Sequence, residues 1–249
     1  MVVSLDALLG RPSPQRQDGP PQAPPPTSGP AMRQLGRELG AGWQAVRLLR
    51  AAPWLARAPR GEGAVIDLPG WRAPEASNAP LRAYLRLLGY DASSWGLGIN
   101  RGQPLRYAAA LVERLSAERR EPLALVGWSL GGVVAREVAR ALGERVRCVI
   151  TYGTPVIGGP AYTFAARLYG QSASRRASSI RERLDAERPI SVPITAIYTR
   201  ADGIVDWRAC IDRRSPNVRH VEVRSGHLGL GIDPDVWWVV AQALAEREV

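Results

Sequence analysis

Short apolar runs alternate with amphipathic stretches along the chain from residue 63 onward. Because side chains repeat every two residues in a strand and about every 3.6 residues in a helix, the runs predict buried strands and the stretches predict helices. This alternation indicates βαβ units, so the predicted fold class is α/β, with a mostly parallel sheet of about six strands. Right-handed crossovers place helices on both faces of such a sheet. The strands are predicted at residues 63–68, 90–95, 123–127, 146–152, 193–199 and 218–223.

The N-terminal part of the chain has a different pattern. Residues 11–30 consist mainly of proline, glycine and polar residues, which cannot bury enough apolar surface to offset the entropy lost on ordering. Residues 1–30 are therefore predicted to form a disordered or polyproline II tail that is rich in proline. The α/β domain is predicted to span residues 61–249.

Residues 31–60 are predicted to form an amphipathic helical segment between the tail and the domain. Their apolar residues recur at three- and four-residue steps, and arginines flank the resulting stripe. Packing of this stripe against the domain is the favoured interpretation. The alternative is a weak contact with a membrane surface through residues 31–50. The stripe consists of Leu35, Leu39, Trp43, Val46 and Leu49.

Composition limits the classes of partner. The 33 basic residues, all of them arginine, exceed the 23 acidic residues and give a formal net charge of +10. The arginines are spread along the chain without the aromatic-interleaved basic stripe of a nucleic-acid module, so no nucleic-acid partner is expected. The first ten residues lack the basic start of a secretory signal, and no run of about 18 apolar residues occurs, so a cytoplasmic location is expected.

The sequence Gly127-Trp128-Ser129-Leu130-Gly131 matches the G-x-S-x-G pattern of a nucleophile elbow. It directly follows the apolar run LALV and directly precedes a helical pattern, which is the strand–turn–helix setting that such an elbow requires. The flanking glycines remove side chains that would collide with the strand and the helix. Ser129 is therefore predicted as the nucleophile, and the N–H of Leu130 at the helix start as a donor to an oxyanion.

A serine nucleophile needs a base, and the chain contains two histidines. His220 lies within a predicted strand and is expected to be a structural or surface residue. His227 follows that strand, where the sites of parallel α/β sheets are assembled, and is predicted as the base. The carboxylate that orients it is predicted to be Asp202, which follows the strand at 193–199, with Asp206 as the alternative.

A second oxyanion donor is expected from the loop after the strand at 63–68. That loop reads Leu68-Pro69-Gly70-Trp71. Gly70 would let a substrate approach the backbone closely, so the N–H of Trp71 is predicted as the donor. Pro-Gly is also an ordinary turn sequence, which is the alternative interpretation of this loop.

The segments GWSLGG, ADGIVDW and SGHLGL, in this order, resemble those of bacterial α/β-hydrolases related to esterases and lipases. The segment YGTP at residues 152–155 also resembles one that is common in lipase-like members. The resemblance covers residues 63–249 and implies an α/β-hydrolase fold. The residues that it implies for the site are Ser129, Asp202 and His227 as the catalytic triad and Leu130 and Trp71 as the oxyanion donors.

Two features depart from the family pattern. Pro69 stands where a histidine usually precedes the glycine of the oxyanion loop. The first two antiparallel strands of the family are not evident before residue 63, which implies a shortened sheet.

Residues 155–190 form an insertion between two predicted strands and are expected to cover the site as a small lid. The second part of the insertion is polar and arginine-rich, which is typical of a solvated helix face. The first part is apolar and aromatic and is expected to line an acyl pocket. Its apolar residues are Val156, Ile157, Tyr162, Phe164, Leu168 and Tyr169.

By this resemblance, the chain is expected to be a serine hydrolase that cleaves carboxylic esters through an acyl-enzyme on Ser129, with a small-molecule or lipid ester as substrate. No metal-ligand spacing occurs in the sequence, so no metal or cofactor is expected. Two alternatives stay open, a non-catalytic binding module with the α/β-hydrolase fold and an acyltransferase that uses the same triad.

Overall fold

The computed structural model describes residues 12–17, 20–26, 28–30, 32–118, 122–164, 179 and 183–246. The strands within them are β1 (Gln15–Gln17), β2 (Ala64–Leu68), β3 (Asp91–Ser94), β4 (Leu123–Trp128), β5 (Val146–Tyr152), β6 (Ile194–Tyr198) and β7 (Val218–Glu222). They form a seven-stranded sheet in the order β1-β7-β6-β5-β4-β2-β3. Strands β2 to β7 run parallel to their neighbours, and β1 runs antiparallel to β7. The predicted α/β class and all six predicted strands are confirmed.

The helices lie on both faces of this sheet. The α-helices whose bounds lie fully within the described residues are α1 (Ala41–Leu55), α2 (Ala79–Leu87), α3 (Pro104–Ala117), α4 (Leu130–Leu142) and α5 (Pro234–Ala245). A 3-10 helix, Met32–Gly40, directly precedes α1. Val65 and Val126 pack in one core cluster with residues of α1, α2 and α5. Their neighbours Ile66 and Leu125 pack in a second cluster with residues of α3 and α4. Successive residues of a strand thus face opposite sides of the sheet, as its two-residue period requires. Because both sides are covered by helices, the buried strands read as continuous apolar runs.

The sheet ends on one side at β3, with no strand beyond it in the part of the chain that the structure describes. On this side the sheet is therefore shortened, as the sequence implies.

The proline-rich tail differs from its prediction of disorder or polyproline II. Gln15–Gln17 pair as β1 with the edge of β7, which satisfies backbone groups that an edge strand would otherwise expose. Further along, the carbonyl of Ala23 accepts a 2.6 Å hydrogen bond from the guanidinium of Arg213. Gly29 lies directly against the backbone of Thr163. Composition failed to predict these contacts because the tail makes them through its backbone atoms, which every residue type carries.

Helix α1 packs against the domain, but not through the predicted stripe. Arg47 forms ion pairs of 2.9 and 2.8 Å with the carboxylates of Asp233 and Asp235 at the start of α5. The face of α1 that packs against the domain carries Ala51 and Leu55, which lie in the first core cluster together with residues of α5. The stripe residues Trp43 and Leu49 are consequently 59% and 77% exposed. The expectation that this stripe would be the packed face was therefore wrong.

Candidate active site

Ser129 lies in a sharp turn between β4 and α4. Its φ of +53° and ψ of −120° are rarely adopted by residues with a Cβ, and the turn is held by a 2.9 Å hydrogen bond from Ser129 N to the carbonyl of Tyr152. A side chain at Gly127 would overlap the first turn of α4, and one at Gly131 would overlap the carbonyl of Leu68. The predicted need for glycine on both sides of the serine thus has a direct steric cause.

The loops after β6 and β7 bring an aspartate and a histidine together. Nδ1 of His227 lies 2.7 Å from Oδ2 of Asp202, and both side chains are buried. The other carboxylate oxygen of Asp202 accepts hydrogen bonds from Ile204 N at 2.8 Å and Val205 N at 2.7 Å. The carboxylate is therefore fixed by the backbone on one side and free to orient the imidazole on the other.

Electrostatics at His227 favour a positive charge. Burial alone lowers the pKa of His227, but the charge of Asp202, its hydrogen bond and the charge of Glu38 outweigh burial, so the pKa is raised above its ordinary value. In the neutral tautomer in which Nδ1–H donates a hydrogen bond to Asp202, Nε2 is unprotonated and can accept a proton. In this neutral form the imidazole can act as a general base, whereas the raised pKa favours the imidazolium that forms once a proton has been accepted.

Asp206, the alternative acid, has a different role. Its Oδ1 accepts a 2.9 Å hydrogen bond from the backbone N of Arg208, and its Oδ2 lies 3.4 Å from the guanidinium of the same residue. It caps the 3-10 helix Trp207–Cys210. The geometry favours Asp202 over Asp206 as the partner of the imidazole.

His220 lies away from this pair. Its side chain is buried, and its Nε2 accepts a 3.0 Å hydrogen bond from the backbone N of Asp212. Burial lowers the pKa of His220 to about 4. A neutral, backbone-bonded imidazole of this kind is structural, as its position within a strand predicts.

The imidazole of His227 also contacts the loops after β4 and β5. The ring of Trp128, which directly precedes Ser129, lies 5.8 Å from the imidazole, measured between centroids. At Gly153, directly after β5, a Cβ atom would lie 3.0 Å from the imidazole. The loops that carry Ser129, Asp202 and His227 therefore meet at the edge formed by the carboxyl ends of β4 to β7, as expected for parallel α/β sheets.

The predicted oxyanion loop lies beside Ser129. A Cβ atom at Gly70 would lie 3.4 Å from the Cβ of Ser129 and 3.0 Å from the ring of Trp128, so glycine allows this close approach. The N–H of Leu130 stands at the first residue of α4, directly after the serine. The roles of Leu130 and Trp71 as oxyanion donors stay predictions.

Two polar residues near the site were not predicted from the sequence. Asn100 is fully buried and donates a 2.9 Å hydrogen bond to the carbonyl of Pro69, while its own carbonyl accepts one of 2.7 Å from Arg72 N. It therefore fixes the loop beside Ser129. Glu38, from the 3-10 helix before α1, contacts the loops of both Asp202 and His227. Neither residue lies in a recognisable motif, and their partners are distant in sequence, so local pattern carried no signal.

The first part of the insertion at 155–190 lies against the segment that follows Asp202. The backbone N atoms of Val156 and Ile157 both donate to the carbonyl of Ala209, at 2.8 and 3.0 Å, and Thr163 forms a β-bridge with Val205. The role of this insertion as a lid stays a prediction. Leu168 and Tyr169, predicted for the acyl pocket, lie outside the described residues.

Residues 105–189 match the family model of the Thioesterase domain. The matched range includes Ser129 and ends before Asp202 and His227. No curated protein sequence matches the chain.

Several solved structures are similar to this chain. Alpha/beta hydrolase domain-containing protein 10 from mouse has a TM-score of 0.57 at 17% identity and covers 72% of this chain and 87% of its own. A structure described under LipS and LipT, two metagenome-derived lipolytic enzymes, has a TM-score of 0.57 at 17% identity, with 76% and 94% covered. The type II thioesterase BorB from the borrelidin biosynthetic cluster has a TM-score of 0.53 at 18% identity, with 76% and 94% covered. At such identities the likeness concerns the fold.

Proposed function

Because this chain has the α/β-hydrolase fold, we propose that it is a serine hydrolase that cleaves carboxylic esters through an acyl-enzyme on Ser129. The observation that carries the proposal is the 2.7 Å contact between His227 and the buried Asp202. This contact lies at the carboxyl ends of the strands, where the strained turn of Ser129 also lies. A buried acid–imidazole pair next to a serine on a positive-φ turn is the arrangement that makes an alcohol oxygen nucleophilic.

The first half of the reaction transfers the acyl group to the enzyme. His227 removes the proton of the Ser129 hydroxyl through Nε2 while the oxygen attacks the ester carbonyl. The N–H groups of Leu130 and Trp71 stabilise the tetrahedral oxyanion, and Asp202 stabilises the imidazolium. The imidazolium then gives its proton to the departing alcohol as the bond between the acyl carbon and that alcohol breaks.

The second half regenerates the enzyme. Water attacks the acyl carbon while His227 removes a proton from the water. The bond between the acyl carbon and Ser129 Oγ then breaks, the imidazolium returns the proton to Ser129 Oγ, and the carboxylic acid leaves. An acyltransferase would run the same step with another alcohol in place of water. Turnover with and without added acceptor alcohols separates these two outcomes.

Thioesters are the second candidate substrate class. The match of residues 105–189 to the Thioesterase domain model supports it, as does the similarity in fold to BorB, described as a type II thioesterase. A thiolate leaves more readily than an alkoxide, so the same triad serves both classes. Parallel assays with p-nitrophenyl esters of graded chain length and with acyl thioesters of the same acyl groups decide between them.

Labelling with a fluorophosphonate probe tests the proposal directly. We expect covalent modification of Ser129 in the wild type, none in Ser129→Ala, and strongly reduced labelling in His227→Ala. A folded wild-type protein that is not labelled would instead support a non-catalytic binding module.

The exposed face of α1 suits weak contact with an anionic membrane surface. Trp43, Val46 and Leu49 are exposed on it, and α1 contains no acidic residue and two arginines, Arg50 and Arg47, the second of which is paired with Asp233 and Asp235. Tryptophan and arginine are favoured where a helix lies at the lipid–water boundary. Among the described residues, no helix is both long and apolar enough to cross a bilayer. Contact of this kind would present lipid esters to the enzyme.

A further inference from the structure

Glu38 lies apart from the site in sequence but touches it in space. It belongs to the 3-10 helix Met32–Gly40, and its side chain is buried. The same helix lies so close to the loop after β6 that a Cβ atom at Gly203 would be 2.5 Å from the carbonyl oxygen of Gln34. Glycine at position 203 therefore permits the approach that buries the carboxylate of Glu38.

The carboxylate of Glu38 accepts three backbone hydrogen bonds from two different loops. Its Oε1 accepts from Gly203 N at 2.8 Å and from His227 N at 3.0 Å. Its Oε2 accepts from Leu228 N at 2.7 Å. Gly203 directly follows Asp202, so the carboxylate of Glu38 fixes the backbone next to Asp202 as well as the backbone of His227.

We propose that Glu38 is a positioning residue. By accepting hydrogen bonds from the loop of Asp202 and from the loop of His227, it holds both side chains in place relative to Ser129. The inference rests on the proposed serine hydrolase function. Hydrogen bonds from backbone N–H groups to a charged, buried carboxylate are stronger than those to neutral acceptors, so this tie restricts both loops. Its loss would let the imidazole move relative to the serine.

The charge of Glu38 also acts on the imidazole. The charged groups that raise the pKa of His227 are Asp202 and Glu38. The other residues that lie against the imidazole, Trp128 and Gly153 at the ends of β4 and β5, are uncharged. A second negative charge beside the imidazole favours the imidazolium that forms as the serine attacks. Glu38 therefore affects both the geometry and the protonation of the base.

Two substitutions separate these effects. Glu38→Ala removes the acceptors and the charge, and Glu38→Gln removes the charge but keeps one carbonyl oxygen for Gly203 and His227. We expect kcat in Glu38→Ala to fall by about 10- to 100-fold with little change in KM, because a displacement of about 1 Å has effects of this order. The fall in Glu38→Gln is expected to be smaller. In both variants the acidic limb of the profile of kcat/KM against pH is expected to move to lower pH.

The measurements are steady-state kinetics with a p-nitrophenyl ester, the rate of fluorophosphonate labelling of Ser129, and the melting temperature. Glu118→Gln, which removes an exposed carboxylate at the end of α3 that pairs with Arg114 of the same helix, is the matched control and is expected to behave as wild type. Unchanged kinetics and an unchanged acidic limb in Glu38→Ala would overturn the inference, as would a loss of activity that only parallels a loss of folded protein. Absence of labelling in the wild type would instead overturn the hydrolase proposal itself.

Discussion

Nδ1 of His227 lies 2.7 Å from Oδ2 of Asp202, in a site where both side chains are buried. Burial alone would lower the pKa of the imidazole, yet the charge and hydrogen bond of Asp202, together with the charge of Glu38, raise it. Because only the neutral imidazole can accept the proton of Ser129, activity is expected to be lost as the pH falls through this raised pKa. The acidic limb is therefore expected above pH 6.5, the ordinary value for histidine.

Asp202→Asn is expected to lower kcat by about 10⁴-fold, since the amide favours the wrong imidazole tautomer and does not stabilise its charged form. Asp206→Asn is the matched control and is expected to retain the kcat of the wild type, because Asp206 caps a short helix. Rates of ester hydrolysis between pH 5 and 9 measure both. A large loss in Asp206→Asn with normal turnover in Asp202→Asn would reverse the assignment of the acid.

Gly131→Ala is expected to destabilise the fold by about 1–3 kcal/mol, the usual cost of forcing extra atoms into a packed position. The added methyl group would overlap the carbonyl of Leu68 beneath the elbow. Urea denaturation followed by circular dichroism measures the free energy of unfolding. Gly231→Ala is the control, because a Cβ atom there meets nothing within 4 Å. Equal stability of the two variants would contradict the steric account of the elbow.

Deletion of residues 1–30 is expected to lower the melting temperature and to promote self-association. The deletion removes β1 and uncovers the edge of β7, whose exposed backbone groups then become available to another chain. Deletion of residues 1–11, which leaves β1 in place, is the comparison. Size-exclusion chromatography and thermal melts distinguish the two proteins, and identical behaviour would show that β1 adds nothing to stability.

The double substitution Trp43→Ser with Leu49→Ser is expected to abolish binding to vesicles without lowering hydrolysis of a water-soluble ester. Leu87→Ser, which changes a leucine that is 73% exposed on α2, is the control and is expected to bind as wild type. Cosedimentation with phosphatidylcholine vesicles, with and without phosphatidylserine, measures binding and its dependence on anionic lipid. Binding that is absent in the wild type, or equal in all variants, would reject the membrane-facing role of α1.

Most of the fold and the core of the site could be predicted because their signals are local. The buried strands read as apolar runs, and Ser129 lies in a five-residue pattern whose glycines have a steric cause. The approximate places of Asp202 and His227 follow from the rule that parallel sheets build sites at the carboxyl ends of strands. Each of these inferences needs a few neighbouring residues and one topological rule.

The remaining features depend on partners distant in the chain. Glu38 bonds to His227 across 189 positions, and Arg47 pairs with Asp233 across 186. Neither contact leaves a trace in the local pattern. The packed face of α1 was predicted wrongly because Ala51 and Leu55, and not the predicted stripe, meet the core. The pairing of β1 with β7 was missed for the same reason, because backbone hydrogen bonds are made by any composition.

The bond from Glu38 to the loop of His227 also has a consequence for the synthesis of the protein. Residue 38 leaves the ribosome long before residue 227, so the bond between them can form only after most of the chain has been synthesised. A nascent chain that already carries Ser129 in its elbow still lacks the base and the carboxylate that holds the base loop. On the proposed function, reactivity toward esters would therefore be expected only after the segment that carries residue 227 has been made and has packed against residue 38.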